Sequence, residues 1–325
     1  MHQVRSLTVS DLDEIFIGID TSNYTTSVAV CDSDGRIVGN IKRLLPVREG
    51  ERGLRQSDAV FHHTSALPSL MEAARELTFG KRIVAVGVSG RPTDNVGSYM
   101  PCFLAGVSAA EGVCLGANAE KYTFSHQCGH IMAALYSSDS IHLMDKTFAA
   151  FHVSGGTTDI LLCEPGDGER PFVVTKIGGT LDINAGQAID RAGVYMGLSF
   201  PAGAEIEKLA LSFDGKVKRE RICVKGLNCN LSGLENKACK MVDSGESREA
   251  VAAFVIDFIT RTLTALTENL RAEYKDIPIV YAGGVMSCSI IRKALSKYGV
   301  FAEPAFSADN AAGVALLARE NYLSK

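Results

Sequence analysis

The stretch that most constrains the fold is Ala149–Cys163, AAFHVSGGTTDILLC. Its apolar arms, 149–153 and 159–163, flank Ser154-Gly155-Gly156-Thr157-Thr158, so it reads as strand, tight turn, strand. Two adjacent glycines allow a turn at positive φ and bring bare backbone up to a ligand. Successive N–H groups in such a turn form an anion nest, and the Ser and Thr hydroxyls add donors. An ordinary hairpin has the same pattern, so the motif needs company. Ile15–Cys31, IFIGIDTSNYTTSVAVC, supplies it: an apolar strand, a turn at Asp20–Thr26, and an apolar strand ending in Cys31. Two Thr-Thr hairpins half a chain apart predict a duplicated unit, with two facing loops that clamp one phosphate chain. A third piece, Ile277–Leu295, runs from a strand through Gly283-Gly284 into a helix, which aims helix N–H groups at a ligand.

The chain has 325 residues, enough for a large core and two lobes. A hydrophobic share of 46% and a charged share of 22% fit a globular protein with no membrane partner. The first fourteen residues are polar and lack an apolar signal core, so a cytoplasmic location is expected. Nine scattered cysteines with no C-x-x-C pair read as reduced, buried, small hydrophobes. A net charge of −4 gives no global pull on nucleic acid, so RNA contact needs a local basic patch.

Strands alternate with helices, the mark of an α/β fold. Arg36–Leu45 reads as a third strand, Gln56–Leu77 as a helix, Arg82–Ser89 as a buried strand and Pro101–Leu115 as an apolar helix. His62 and His63 fall in the first of these helices, where surface or packing roles suffice. The second half is expected to open with a strand at Lys121–Phe124, followed by a helix His126–Tyr136 capped by Ser125. The opening hairpin and a strand Phe172–Ile177 come next. Leu181–Phe213 is mostly helical with a break at 197–203, and Lys216–Ser232 is basic and irregular. Ser247–Tyr274 is a long amphipathic helix with Val251, Phe254, Val255, Phe258, Leu263 and Leu266 inward. A short strand at 300–302 and a helix Asp309–Tyr322 close the chain. The expected division is 1–120 and 121–325, with a helical insertion at about 180–245.

His126-Gln-Cys-Gly-His130 puts two imidazoles at i and i+4, about 5–6 Å apart on one helix face and close enough for one metal ion. A protease role fails, because Gln127 stands where a general-base Glu is needed and an amide takes no proton from water. Cys128 points away from the histidines. Asp309 precedes an apolar helix and could be either a helix cap or a third ligand. Asp190, in NAGQAIDRAGVYMGL, lies among small residues that permit close ligand approach, or on a solvated face. The basic runs Lys216, Lys218, Arg219, Arg221, Lys225 and Lys42, Arg43, Arg48 read as solvated surface or as RNA contacts.

Together these motifs resemble the Gcp/TsaD family of the actin-like (ASKHA) ATPase superfamily, the tRNA threonylcarbamoyladenosine transferases. The order is hairpin, HxxxH, VSGG hairpin, AGQAID…GLSFPAG, LSGLENK, AGGV and ADNAA, from about Ile15 to the end. The resemblance implies two RNase H-like (actin/hexokinase/Hsp70-type) lobes with mixed sheets flanked by helices. It implies one divalent metal, iron or zinc, at His126, His130 and Asp309, with His152 added here as a fourth ligand. It carries ATP, AMP or acyl-adenylate contacts, with magnesium, onto His152, Val153, Ser154, Gly155, Gly156, Asp190, Gly203, Gly283, Gly284 and Cys288. Asp20, Ser154 and Asp190 are its catalytic candidates. The implied reaction moves a threonylcarbamoyl group from its AMP anhydride to N6 of an adenosine in tRNA, with a smaller actin-like subunit and an ATPase as partners.

The chain departs from the family's pattern in the chemical loops. The first hairpin, E-T-S-C-D-E-T in the family, has Asn23, Tyr24 and Thr25 where the Cys and the two acids stand. Thr157 replaces the VSGGHT histidine, Cys288 the GGVSANR asparagine, and Glu235-Asn236 the LSGLK lysine. The alternatives are a divergent paralogue with another acceptor, a scaffold subunit without turnover, and a small-molecule kinase using Asp20 or Asp159 as base.

Overall fold

The computed structural model describes residues 13–22, 24–46, 54–166, 171–307 and 311–325. The chain divides into two compact units. The first gathers the described parts of 1–136, 166–172 and 309–325; the second holds 137–165 and 173–308.

In the first unit, β1 (Glu14–Ser22), β2 (Thr25–Asp32) and β3 (Ile37–Leu44) form an antiparallel meander. Helix α1 (Gln56–Thr78) crosses to β4 (Arg82–Arg91), which pairs parallel with β1. Helix α2 (Phe103–Ala117) leads to β5 (Glu120–Ser125), parallel to β4, and α3 (His126–Ser137) follows directly. The sheet order is β3-β2-β1-β4-β5. Alternation along β1 sorts its two faces. Ile15, Ile17 and Ile19 join Leu67, Leu70 and Ala110 in the core under α1 and α2. Phe16, Gly18, Asp20 and Ser22 therefore face the other way.

That other face is covered by the closing helix, Ala312–Leu323. Its approach is close enough to require glycine: a Cβ on Gly18 would lie 2.1 Å from Ala311 O, and one on Gly87 1.9 Å from Val314 O. Helix α3 meets it just as closely, since a Cβ on Gly313 would lie 1.8 Å from Gly129 O. These contacts correct the expected division at residue 120. Strand β5 and helix α3 complete the first sheet and its cover rather than opening the second unit, and the closing helix belongs with them.

The second unit repeats the plan. It contains β6 (Phe148–Val153), β7 (Thr158–Pro165), β8 (Phe172–Thr180), α4 (Ala185–Tyr195) and α5 (Gly203–Ser212). Then follow β9 (Cys223–Lys225), β10 (Asn228–Asn230), α6 (Ser232–Asp243), α7 (Arg248–Glu273), β11 (Ile279–Ala282), α8 (Ser289–Leu295), β12 (Val300–Phe301) and α9 (Pro304–Ser307). The sheet order is β12-β11-β6-β7-β8-β10-β9. With the last two strands removed it matches the first sheet strand for strand, so the predicted duplication is present as topology. The expected irregular run 216–232 is corrected: it contains β9 and β10, which extend the sheet beside β8. Val217, Ile222 and Val224 pack on the core while Lys216, Lys218, Arg219, Arg221 and Lys225 stand exposed. Helix α7 carries the predicted inner stripe, all of it buried. Among the described residues α7 is the one helix long and apolar enough to span a membrane, yet 67% of that window is buried in the core. Arg48 and most of the expected loop at 46–55 lie outside the described residues.

Candidate functional site

Helix α3 carries the first half of the chemistry. Ser125 caps it, accepting the Cys128 N–H at 3.2 Å, and Pro92 O accepts the Gln127 N–H at 3.1 Å. With its start fixed by these bonds and its side by Gly129, the helix holds His126 and His130 with ring centroids 4.3 Å apart, inclined at 75°. Their Nε2 atoms lie 2.9 Å from each other.

Behind His126 stands Asp20. Its Oδ2 lies 2.9 Å from His126 Nδ1. The same oxygen accepts the Ser22 hydroxyl at 3.0 Å, and Oδ1 accepts the Ser22 N–H at 3.1 Å. Asp20 is fully buried and Ser22 is 1% exposed. The expected turn at 20–26 is thus corrected: β1 runs through Asp20 to Ser22, and Ser22 pairs with Thr25. Ser22 Oγ is also 3.4 Å from His126 Nε2, which gives Asp20, His126 and Ser22 the contacts of a hydrolase triad. The hydroxyl proton is turned onto the carboxylate, however, and the residue is sealed from solvent. Ser22 is not poised as a nucleophile.

Two imidazole Nε2 atoms side by side, with a carboxylate on the far nitrogen of one ring, are the donor set of a metal half-site. Two ligands at about 2.0–2.1 Å from a tetrahedral ion stand about 3.3 Å apart. The 2.9 Å observed is a hydrogen-bonded pair that opens by a few tenths of an ångström to admit one. The residues present therefore fit a borderline divalent cation. Among the described residues no group of three His, Cys, Asp or Glu side chains could hold it alone. Asp309, the expected third ligand, lies outside the described residues. Cys128 is not in the set. Its thiol donates to Asp94 Oδ2 at 3.0 Å, beside the Arg91–Asp94 ion pair at 2.7 Å. Burial, then the Asp94 charge, pushes that thiol up and disfavours the thiolate a metal needs.

The remaining candidates fall in the second unit. The β6–β7 hairpin turns at Ser154–Thr157, with Val153 opposite Thr158. Ser154 Oγ accepts the Gly156 N–H at 3.2 Å and the Thr157 N–H at 3.1 Å. Two donors expected for an anion are thus spent inside the turn. Gly155 and Gly156 stay exposed, and a Cβ on either would meet nothing within 4 Å. Helix α4 begins against this turn: the Gly186 N–H donates to Ser154 O at 3.1 Å, and the Ala185 N–H to Thr158 Oγ1 at 2.9 Å. A Cβ on Gly186 would lie 2.6 Å from Gly155 N, so only glycine brings the helix start this near. An Asn184–Gln187 capping box fixes that start.

Asp190 lies one turn further along α4. Its Oδ1 accepts the Ala202 N–H at 2.8 Å, which ties down the start of α5. Burial raises its carboxyl above the usual range, only partly offset by that N–H. Gly203 opens α5 with free space at its Cβ position. Gly283 has φ +100° and a Cβ there would lie 2.3 Å from Val153 O, so the AGG turn requires glycine to lie along β6. Gly284 begins a 3-10 turn, and Cys288 is buried just before α8. Burial raises the Cys288 thiol. His152 is 9% exposed on β6, between Asp159 of β7 and Ala282 of β11, in the unit that holds neither His126 nor His130. Both bases considered for a kinase are engaged: Asp20 with His126, and Asp159 with Lys176 at 2.5 Å.

Sequence reasoning missed two carboxylates. Asp182 accepts N–H groups from Ile183, Leu231 and Ser232 at 2.7, 2.8 and 3.0 Å, and so holds the start of α6. Burial works against its charge, but these donors outweigh it and keep the carboxyl well below the usual range. Glu207 of α5 accepts the N–H and hydroxyl of Ser289 at 2.7 and 2.6 Å, capping α8. The only hint of Asp182 was its place in a Thr-x-Asp turn.

A family model described as TsaD, tRNA N6-adenosine threonylcarbamoyltransferase, matches residues 53–316. The chain belongs to the TsaD family. A curated relative of that name from Thermosipho africanus is 29% identical, over 95% of this chain and 94% of its own length. One from Archaeoglobus fulgidus is 28% identical, over 86% of this chain and 81% of its own. Among solved structures, full-length HypF superposes with a TM-score of 0.58 at 11% identity, over 96% of this chain and 46% of its own. A ROK family glucokinase from Streptomyces griseus gives 0.51 at 15% identity, over 94% and 99%. These two show the fold: the actin-like arrangement expected of a TsaD family member, with an RNase H-like sheet in each unit.

Proposed function

We propose that this TsaD family member transfers a threonylcarbamoyl group from threonylcarbamoyl-AMP to N6 of an adenosine in tRNA. The observation that carries this reading is the family match over residues 53–316, reinforced by the braced imidazole pair on α3. The N6 amine attacks the carbamoyl carbon, the bond from that carbon to the AMP phosphate oxygen breaks, and N6 gives up one proton. In the second unit, the exposed Gly155 backbone and the Ser154 hydroxyl proton bind the phosphate. The start of α4 adds its dipole there. The free oxygen of Asp190 accepts a ribose hydroxyl. In the first unit, His126 and His130, with Asp309 by family resemblance, would hold a divalent iron or zinc. When bound, it supplies Lewis-acid polarisation of a carbonyl or carboxylate oxygen.

The test is direct. Purified protein, threonylcarbamoyl-AMP and unmodified tRNA are incubated, and the digested nucleosides are weighed by mass spectrometry. Threonylcarbamoyladenosine above the enzyme-free level supports the reading. A thermal shift with ATP and none with the adenylate speaks against it.

One observation favours a second reading, a paralogue with another acceptor or a scaffold role. The hairpin tip carries no carboxylate: Tyr24 is 42% exposed, and Thr25 lies in β2 and is 7% exposed. Failure to rescue a strain lacking its housekeeping transferase, with the partner subunits present, would select this second reading.

A further inference from the structure

We infer that the outward side of the ribbon 216–225 is where the phosphate backbone of tRNA docks on the second unit. The inference rests on the proposed reading of tRNA as acceptor and adds where the RNA is held. Lys216, Lys218, Arg219, Arg221 and Lys225 are exposed, while Val217, Ile222 and Val224 pack on the core. Lys216, Lys218, Arg221 and Lys225 pair with no carboxylate among the described residues. Arg219 reaches Asp257 at 3.7 Å and keeps 74% of its side chain exposed, while Arg261 holds the same carboxylate at 2.7 Å. The one acid within 216–225, Glu220, faces Lys237 at 3.4 Å. Asp214, just before the ribbon, is exposed.

The ribbon is tied down from behind. Arg261 Nη1 donates to Glu220 O at 3.0 Å, Lys237 Nζ to Arg221 O at 3.3 Å, and Asn269 Nδ2 to Gly226 O at 2.8 Å. Strand β9 pairs with β10 and is the edge of its sheet. A backbone fixed in advance leaves only the long side chains to order on contact. The chemistry selects a polyphosphate. The exposed positions carry five cations and Cys223, with no aromatic or aliphatic side chain among them. Protein interfaces bury an apolar core poor in lysine, and membrane-surface elements insert an apolar face. This face offers neither. In a chain of net charge −4 it gathers positive charge where phosphates can release their counterions. Such contacts position an RNA and do not read its bases.

The experiment uses full-length protein and an unmodified tRNA transcript, with binding followed by fluorescence anisotropy over a salt series. Lys218→Gln, Arg221→Gln and Lys225→Gln together are expected to weaken binding about 10- to 100-fold at low salt. They should also lower the slope of log affinity against log salt by about 2 to 3. Lys146→Gln, Lys275→Gln and Lys293→Gln remove the same charge from other exposed sites of the second unit. That control triple is expected to stay within about threefold of the wild type. Equal losses in the two triples, or a wild-type slope in the first, overturn the inference. Should the first triple fail to fold, acetylation of the wild type decides. Bound tRNA is expected to shield Lys216, Lys218 and Lys225 but not Lys146, Lys275 and Lys293; no such shielding overturns the inference. Binding to phosphatidylserine vesicles through these cations, with no binding of tRNA, overturns it in favour of a lipid surface. If the wild type forms threonylcarbamoyladenosine and the first triple keeps its KM for tRNA, the docking face fails and the reaction stands. If tRNA binds through these cations and no product forms, the docking face stands and the reaction fails. A wild type that does not bind tRNA overturns both.

Discussion

The two units share one strand order and use the turn between their first two strands differently. In the first, the strands run on to Ser22 and Thr25, so the tip is short and the polar residues before it, Asp20 and Ser22, are buried behind α3. In the second, the strands stop at Val153 and Thr158, and the four residues between them stay open, two of them exposed glycines. One hairpin has become a brace for imidazoles; the other leaves two glycines of its turn exposed. A duplicated fold fixes where a loop sits, while side chains at its strand ends decide whether it faces inward or outward.

The largest expected effect separates the halves outright. On the proposed reading, His126→Ala or His130→Ala is expected to abolish iron or zinc binding, read by elemental analysis, and to leave adenylate binding by calorimetry unchanged. Loss of both together would mean the division of labour is wrong. Next comes backbone approach. Gly283→Ala, strained at φ +100° and driven into Val153 O, should cost about 3 kcal/mol or more of stability, measured by chemical denaturation. Gly155→Ala, with open space around its Cβ, should cost under about 1 kcal/mol and instead weaken nucleotide binding.

Asp190→Asn should weaken adenylate binding about tenfold with little loss of stability, since the amide oxygen can still accept the Ala202 N–H. The pH dependence has a definite sign. The folded carboxyl titrates above its unfolded range, so the native state favours its proton. Stability from this group is present at low pH and declines as pH rises from the unfolded value, about 4, to the raised folded one. Ligand binding that needs the carboxylate falls on acidification through that raised value. Asp182 gives the smallest effect and the opposite sign. Its folded carboxyl lies below the ordinary value of about 4, so its stabilisation is present at neutral pH and is lost as pH falls below that value. Asp182→Asn should cost about 1 kcal/mol, at the low end for charged hydrogen bonds because the side chain is exposed, and should flatten the acid limb of the stability curve.

The sequence by itself determined the local pieces. Apolar arms around Ser154-Gly155-Gly156 and around the Asp20 segment specified two hairpins, and the i, i+4 histidines shared a helix face, because these patterns depend on residues a few positions apart. It also marked the long core helix Arg248–Glu273 by its apolar stripe and the Ser125 cap by its position. The tertiary structure decided what those pieces meet. Period-two alternation put Asp20 on one side of its strand but could not say that His126 waits there. That depends on Gly18, Gly87, Gly129 and Gly313 letting a helix from the end of the chain lie against the sheet. The same packing drew Glu120–Ser125 and the helix after it into the first unit, and Asp182 found its three N–H partners only once Leu231 and Ser232 were folded beside it. Such contacts are set by the shapes of surfaces remote in sequence, so a pattern read a few residues at a time does not contain them.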